Sequence, residues 1–599
     1  MEHTITVYQK TNQYTISKAM GNNLLKLLQD EGFKLASPCG GVGICGKCKV
    51  KFLSESPPPV DEEKKLLTAT EIEKGVRLAC FHSLQDDLEL EIPETGDMEI
   101  LTGGLVRELE FDPRLQWQQI ELEAPSLADQ TDYLQRIREI VGIDGVNSRV
   151  LSRFNSLKEN DKLNLILDED DLIDLRRPET TRGLYGLAID IGTTTIAIYL
   201  LDLITGAEID VYSLANPQQV FGADVISRIN YTTSHEQGIE ELQARLVEGL
   251  NSGIRSLLKE NNLKQESVYQ TSIVGNTVIL HTLLAIKAET IARSPYVPIF
   301  TEGLELVPDE LGLEMNNRGF VQLLPSVSGY IGADIVGDIL VTEFDNGGWN
   351  LLIDIGTNGE IVLGKGQEMY ACSAAAGPAF EGAKITHGLA GVPGAISSFE
   401  EDSYQTIGNE KPRGICGSGL LDIIEVLLER DLVDKTGALK DKNLSPEQQQ
   451  LIVEYNDQKA FQVVPAADSA TGEDIVLTQK DIREFQLAKG AIAAGIQILV
   501  EEAEIVYEQI KNVYLAGGFG NFIGATAACR VGLIPAPLEE RIVRIGNGAG
   551  LGAKAYLLDK KQEARTQKIK QQMTYLELSK MTSFQSYFME NMVFEPIKD

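Results

Sequence analysis

Apolar and polar positions alternate along Thr4-Ile5-Thr6-Val7-Tyr8 and again along Leu88-Glu89-Leu90-Glu91-Ile92, the period of half-buried strands. Between them, Asn22 to Gln29 carries leucines at helical spacing. Pro57-Pro58-Pro59 breaks the pattern as a surface loop, and a helix is expected to follow over Asp61–Leu67. Leu134, Ile137, Ile140 and Val141 then predict an amphipathic helix. From position 187 the pattern changes character. Leu187 to Ile191, Ile196 to Leu200, Leu351 to Ile355 and Val513 to Ala516 are near-continuous apolar runs, as strands buried on both faces are, and all but the second end in glycine.

These changes of pattern divide the chain into residues 1–94, a linker at 95–104, a small unit at 105–180 and a large domain at 181–599. Length changes the picture little, since 599 residues, 43% hydrophobic and 24% charged, describe an ordinary multidomain protein. Charge changes it more. With 88 acidic against 54 basic residues the formal charge is −34, which disfavours nucleic acid and anionic membrane as partners. No apolar run reaches the roughly 18–20 residues of a bilayer span, and Met1-Glu2-His3-Thr4 lacks the layout of a signal peptide, so a cytoplasmic protein is expected. The acidic run Asp168-Glu169-Asp170-Asp171 reads as a solvated stretch rather than a metal site.

Seven cysteines are too few for a disulfide scaffold, and four of them fall before position 81. Residues 37–50 read Ser-Pro-Cys-Gly-Gly-Val-Gly-Ile-Cys-Gly-Lys-Cys-Lys-Val, placing Cys39, Cys45 and Cys48 in one loop, with Cys80 alone further on. A [2Fe–2S] rhomb needs four thiolates, and the glycines of the loop leave room for it and turn N–H groups toward its sulfurs. Zinc also accepts four thiolates, but its sites are built from paired knuckles rather than three ligands in one loop and one distant. The module resembles plant- and adrenodoxin-type ferredoxins over residues 3–94, which implies a β-grasp fold and a [2Fe–2S] cluster on Cys39, Cys45, Cys48 and Cys80. Cys372, Cys416 and Cys529 read as inert buried thiols, and His235, His281 and His387 stand apart from one another as structural or surface residues.

The large domain carries a duplication. Asp190-Ile191-Gly192-Thr193-Thr194 and Asp354-Ile355-Gly356-Thr357-Asn358 both close an apolar strand, 164 positions apart, which suggests two similar lobes facing across a cleft. Each glycine turn can offer backbone amides and hydroxyls to phosphate, and each aspartate can hold Mg²⁺ through water. Gly517 and Gly518 close a third strand and would let a nucleoside approach the backbone; the run Gly546 to Gly552 is expected to support the same wall. Tight turns between strands are the simpler explanation for any one of these glycine sites, less so for all three. There is no P-loop motif. The trio resembles the acetate and sugar kinase, Hsp70 and actin superfamily over about residues 184–560. The fold expected is therefore multidomain α/β: a β-grasp ferredoxin domain, a small α+β middle domain, and a duplicated actin-like ATPase domain.

A one-electron carrier joined to an ATP cleft makes physical sense when an electron must move uphill. Plant-type clusters sit near about −400 mV, and each further 59 mV, roughly, costs tenfold in a one-electron equilibrium. The order of modules, with Ser328-Gly329-Tyr330-Ile331-Gly332-Ala333-Asp334-Ile335, the stretch Ala371 to Gly382 and the tail Tyr575-Leu576-Glu577-Leu578-Ser579, resembles the reductive activators of corrinoid proteins. The resemblance implies ATP-dependent reduction of an inactive Co(II) corrinoid protein to Co(I), a homodimer and an upstream low-potential electron donor. The corrinoid partner is either a methyltransferase corrinoid subunit or a corrinoid iron–sulfur protein. By the same resemblance Gly192, Thr193, Thr194, Gly356, Thr357 and Asn358 would cradle phosphates, and Asp190 and Asp354 would place Mg²⁺ or the attacking water. Gly517 and Gly518 would line the adenosine pocket, and Ser373 would approach the cobalt; its alternative is a small residue packed in an Ala/Gly-rich turn. Rival readings are an activator of the kind that serves 2-hydroxyacyl-CoA dehydratases, a redox-sensing Hsp70-like binding module, and a small-molecule kinase.

Overall fold

The structure is a computed structural model describing all residues except 1, 10–11, 20–22, 31–32, 34–47, 54–55, 66, 68, 85, 93–109, 158–160, 179–182, 223, 345–346, 357, 383, 402, 441, 443, 457, 521 and 596–599. Cys39, Cys45, Thr357 and the expected linker therefore lie outside the described residues. The chain forms two compact units, residues 1–98 with 215–231, and residues 99–214 with 232–599.

In the first unit β1 (Glu2–Gln9), β2 (Asn12–Ala19), β3 (Lys49–Phe52), β4 (Val76–Leu78) and β5 (Leu88–Glu91) make one mixed sheet in the order β2-β1-β5-β3-β4. β1 lies parallel to β5 and antiparallel to β2. The alternation read in the sequence buries Ile5, Val7 and Leu90, and Leu24 and Leu28 of helix Leu24–Asp30 pack with them in one core. A helix packed with this mixed sheet is the β-grasp arrangement. The helix expected over Asp61–Leu67 is instead a single 3₁₀ turn, Glu63–Lys65, followed by helix Ala69–Glu73. The cause is Glu63, which turns fully into the core to accept the Leu78 N–H and to face His82 Nε2 at 3.1 Å.

The second unit begins with a four-stranded sheet of β6 (Leu115–Leu122), β7 (Gly145–Val146), β8 (Asp161–Asp168) and β9 (Asp171–Arg176), in the order β6-β8-β9-β7. Helix Tyr133–Val141 buries Ile137, whereas Ile140 is 48% exposed, so its apolar stripe is narrower than its sequence spacing suggests. The acidic run 168–171 is the β8–β9 turn. There Glu169 adopts a left-handed φ of 50° and Asp168 grips Arg114 at 2.6 and 2.8 Å.

Two six-stranded sheets follow. The first uses β10 (Tyr185–Ile191), β11 (Thr195–Asp202), β12 (Glu208–Ala215), β13 (Val268–Gly275), β14 (Leu304–Leu306) and β15 (Phe320–Leu323), in the order β12-β11-β10-β13-β15-β14. The second lobe opens with β16 (Trp349–Ile355), β17 (Gly359–Lys365) and β18 (Glu368–Ala374). Two small sheets are inserted next, β19 (Ala395–Glu400), β20 (Ser403–Thr406) and β21 (Gly414–Ile415), then β22 (Ile452–Tyr455), β23 (Gln458–Val464) and β24 (Ile475–Thr478). The second large sheet is completed by β25 (Ile510–Ala516), β26 (Ile542–Gly546) and β27 (Met573–Tyr575), in the order β26-β25-β16-β17-β18-β27. In both sheets the strand bearing the Asp-Ile-Gly turn pairs antiparallel with the next strand and parallel with a distant one. The duplication read in the sequence is thus a duplication of sheet topology.

The halves are interlocked through two helices. Helix Gly548–Leu558, from the carboxy-terminal half, packs in the core of the first lobe, and its Ala553 carbonyl accepts the Ser272 hydroxyl at 2.8 Å. It crosses helix Ala333–Leu340 so closely that a Cβ on Gly552 would lie 2.2 Å from the Gly337 carbonyl oxygen. Among the described residues no helix is long and apolar enough to cross a membrane.

Candidate functional site

Two sites follow from this architecture, one in each unit. In the first, Cys48 opens β3 and Cys80 sits on the turn after β4. Antiparallel pairing of Lys49 with Leu78, and donation from Ala79 N–H to the Cys48 carbonyl at 2.8 Å, bring the two cysteine backbones together. Cys48 is buried and Cys80 half-buried, and Asn23 Nδ2 donates to the Cys80 carbonyl at 2.8 Å. The turn is braced from inside by Glu63. Burial works to raise that carboxyl, but bonds from His82, the Leu78 N–H and the Val60 N–H prevail and hold it below the ordinary range. Two cysteines brought together by strand pairing suit a shared metal cluster, and Glu63 and His82 are supporting residues that the cysteine spacing did not single out.

In the second unit the Asp-Ile-Gly turns close the cleft ends of β10 and β16. Gly192 N–H donates to the Thr195 carbonyl at 3.0 Å and Gly356 N–H to the Asn358 carbonyl at 2.9 Å, so each turn is tied off in the same way. A Cβ added at Gly356 would meet only the Asn358 carbonyl, at 3.9 Å, and one at Gly518 would meet nothing within 4 Å; both backbones are open to a ligand. Gly517 has a left-handed φ of +83°, and its Cβ would lie 2.5 Å from Asp354 Oδ1. The end of β25 is therefore pressed against the second Asp-Ile-Gly turn, and only glycine fits there. Beyond it Phe519 stacks on Phe380 with centroids 4.5 Å apart, over Gly417, which a side chain would drive into both residues.

Asp190 and Asp354 do not stand alone. Asp334 and Asp338, one turn apart on helix Ala333–Leu340, and Glu360 on β17 complete a cluster of five carboxylates, Asp338 buried and the other four half-buried. Burial pushes Asp190 up to about 7, opposed by a hydrogen bond from Asn547 and reinforced by the charge of Asp334. Burial likewise lifts Asp354 to about 7, with Asp334 and Asp190 adding to it, and Asp334 to about 6 against bonds from backbone N–H groups. Asp338 is raised further by burial and by all four neighbours, and both its oxygens are without a hydrogen-bond partner. Glu360 is raised by burial and by Asp354 and Asp334, and relieved by Asn358 and by Ser373, whose Oγ lies 3.4 Å from Oε1.

Five clustered carboxylates, with both Asp338 oxygens unpartnered among the described residues, call for positive charge, and a hydrated Mg²⁺ with a nucleotide fits them. Among the described residues no three His, Cys, Asp or Glu side chains converge tightly enough to hold a bare ion. Thr193 is positioned by Asn276 Nδ2 at 3.1 Å. Asp334, Asp338, Glu360, Asn276 and Asn547 lie outside the two Asp-Ile-Gly turns and are gathered to them by tertiary contacts, with no local signature in the sequence. The run Gly546 to Gly552 lies beside the carboxylates: Asn547 Nδ2 donates to Tyr199 Oη at 3.1 Å, and a Cβ on Gly548 would lie 2.3 Å from Asp338 Oδ1. Ser373 lies within β18 and not in a turn. Cys372, Cys416 and Cys529 are buried free thiols, and burial pushes Cys529 up to about 12.

A two-lobed, actin-like nucleotide cleft carried with a ferredoxin module defines an ATP-using redox protein. A family model described as the 2Fe-2S iron-sulfur cluster binding domain matches residues 7–84, one described as the RACo middle region matches 185–347, and the C-terminal domain of RACo, the ASKHA domain, matches 349–598. The chain is 32% identical to the corrinoid activation enzyme RamQ of Eubacterium limosum, covering 94% of each. It is 24% identical to the [Co(II) methylated amine-specific corrinoid protein] reductase of Methanosarcina barkeri, over 68% of this chain and 76% of that one. The solved structure of a reductive activator for corrinoid, iron-sulfur protein superposes with a TM-score of 0.75 at 32% identity and 99% coverage of both chains. The chain belongs to this family of reductive corrinoid activators, and its cofactors are a [2Fe–2S] cluster and ATP with Mg²⁺.

Proposed function

We propose that this protein reactivates a corrinoid protein by one-electron reduction of its cobalt from Co(II) to Co(I), at the expense of ATP. The observation that carries this reading is continuity: similarity to a corrinoid activation enzyme runs through 94% of the chain, so it includes the ferredoxin module and the cleft together. Cys39, Cys45, Cys48 and Cys80 hold the cluster, which supplies single low-potential electrons when bound. Gly192, Thr193, Thr194, Gly356, Thr357 and Asn358 hold the phosphates. Asp190 and Asp354 orient the hydrated cation, with Asp334 and Glu360 behind them, and Gly517 and Gly518 admit the adenosine. Ser373, bonded to Glu360, faces the corrinoid side and senses the carboxylate cluster. The protein works in the cytoplasm as a homodimer, fed by an upstream low-potential donor.

The test is anaerobic visible spectroscopy of a Co(II) corrinoid protein mixed with this chain and a low-potential reductant. Appearance of the Co(I) band only when ATP is added is the expected result. No Co(I) with either a methylated-amine corrinoid protein or a corrinoid iron–sulfur protein, despite an intact cluster and measurable ATP turnover, overturns the reading.

A further inference from the structure

Away from the carboxylates, residues 295–302, 327–329 and 575–581 enclose an open groove of about 790 Å³. Its lip is apolar and exposed: Val297 is 55% and Ile299 60% accessible, on either side of Pro298. In a chain of charge −34, such a lip is the kind of surface that marks a macromolecular contact.

Each wall of this groove is joined to the nucleotide site by a short path of hydrogen bonds and backbone. Helix Thr277–Leu283 is buried at every position. At its start Asn276 donates from Nδ2 to Thr193 Oγ1 of the first phosphate turn, while its Oδ1 accepts the Ile279 N–H at 3.0 Å and caps the helix. At its end His281 is fully buried, stacked on Phe300 at 4.5 Å, and its Nε2 accepts the Ile299 N–H at 3.0 Å. Because Nε2 accepts, the proton is on Nδ1, 2.7 Å from the Thr277 carbonyl; the ring is neutral and both nitrogens are committed. The second wall is tied to the same helix, since Thr277 Oγ1 donates to the Ser328 carbonyl at 2.6 Å, four residues before Gly332 and the Asp334 carboxylate. The third wall continues β27, whose Leu576 N–H donates to the Ala371 carbonyl at 2.8 Å, two residues from Ser373.

We propose that this groove is where the corrinoid-carrying partner docks, and that the buried helix between Asn276 and His281 transmits the state of the phosphate turn to the groove's lip. The helix spans about 10 Å and is packed on all sides, so it moves as one piece. A shift of Thr193 on nucleotide binding is therefore delivered to Ile299 rather than absorbed on the way. The groove carries two acidic side chains, Glu302 and Glu577, against Lys580, and is close to neutral beside the strongly acidic remainder. It thus selects an uncharged surface, which suits the broad face of a protein-bound corrin better than a basic peptide. A ligand can couple the two sites only if it binds the two groove conformations with different affinity. This inference rests on the reading of the chain as a corrinoid activator.

The test measures binding of the full chain, cluster loaded, to a Co(II) methylated-amine corrinoid protein and to a corrinoid iron–sulfur protein, with and without a non-hydrolysable ATP analogue. Ile299→Asp is expected to weaken binding by about tenfold or more, with the cluster spectrum and thermal midpoint reporting that the variant is folded. His281→Phe keeps the stack on Phe300 but removes the acceptor for Ile299. It is expected to leave binding measurable while the ratio of affinities with and without nucleotide falls toward one. Unchanged partner affinity in Ile299→Asp, or a change in oligomeric state in its place, overturns the docking assignment, the latter because the groove would then join two copies of this chain. An unchanged ratio in His281→Phe overturns the relay. If the wild-type chain itself binds neither corrinoid protein and yields no Co(I) with ATP, the functional reading falls and the groove assignment with it.

Discussion

Replacing Asp190 with asparagine should make the nucleotide-free protein more stable and at the same time abolish ATP-dependent activation. Asp190 is held near 7 by burial, against 3.8 for an aspartate in water. A folded-state value above the unfolded one means that stability is full at low pH and is lost as pH rises from about 4 through 7. That gap corresponds to about 4 kcal/mol at pH 8, at roughly 1.36 kcal/mol per decade. Asparagine still needs partners for its amide, so the expected gain is about 2–4 kcal/mol. Urea unfolding of the nucleotide-free protein without Mg²⁺, at pH 5.5 and 8, reads this directly. Tryptophan fluorescence is the probe, because both tryptophans, Trp117 and Trp349, lie outside the ferredoxin module. The wild type should weaken between the two pH values and Asp190→Asn should weaken less. Saturating Mg²⁺ and ATP should stabilise the wild type at pH 8 and leave the variant where it was. An Asp190→Asn protein that unfolds more easily than the wild type at pH 8 without Mg²⁺ would refute the view that this carboxylate is strained until a cation arrives.

Three further outcomes are expected. Gly517→Ala places a Cβ 2.5 Å from Asp354 Oδ1 at a φ of +83°, so KM for ATP should rise at least about tenfold while the cluster's absorption is retained; a wild-type KM would show that β25 does not abut the phosphate turn. Glu63→Ala leaves the Leu78 N–H and His82 unpartnered behind Cys80, at a cost of about 3–5 kcal/mol, and should yield protein with little visible cluster absorption but normal nucleotide binding. Ser373→Ala removes the 3.4 Å contact to Glu360 and should slow Co(I) formation without changing ATP affinity, measured by stopped-flow absorbance; unaltered kinetics would return Ser373 to a packing role.

The parts of the fold that could be read from the chain are those where local chemistry decides. Ile5 and Val7 alternate because one sheet face is buried, and the twin Asp-Ile-Gly turns each close an apolar strand of a large sheet. Glu63 could not be read that way. Its neighbours spell a helix, and only the long-range demand of Leu78 and His82 for an acceptor turns it inward. Ile140 shows the converse, an apolar residue at helical spacing with nothing above it. Asp334 and Asp338 are ordinary i, i+4 aspartates in the sequence, and they become part of the site only because the helix that bears them crosses a second helix 215 positions later, counted from Gly337 to Gly552. Residues gathered by tertiary crossings carry no local signature.

That crossing also bears on what counts as a separable part of this chain. Family models divide the cleft near residue 348, yet helix Gly548–Leu558 lies in the core of the lobe before that point. Cut there, the amino-terminal fragment would lack a layer of its core and the carboxy-terminal one would present Ala553, Tyr556 and Leu557 to water. Neither piece could be inherited, swapped or expressed alone without the other. The two lobes repeat one sheet topology, but the helix that the second half lends to the first makes them a single unit of folding.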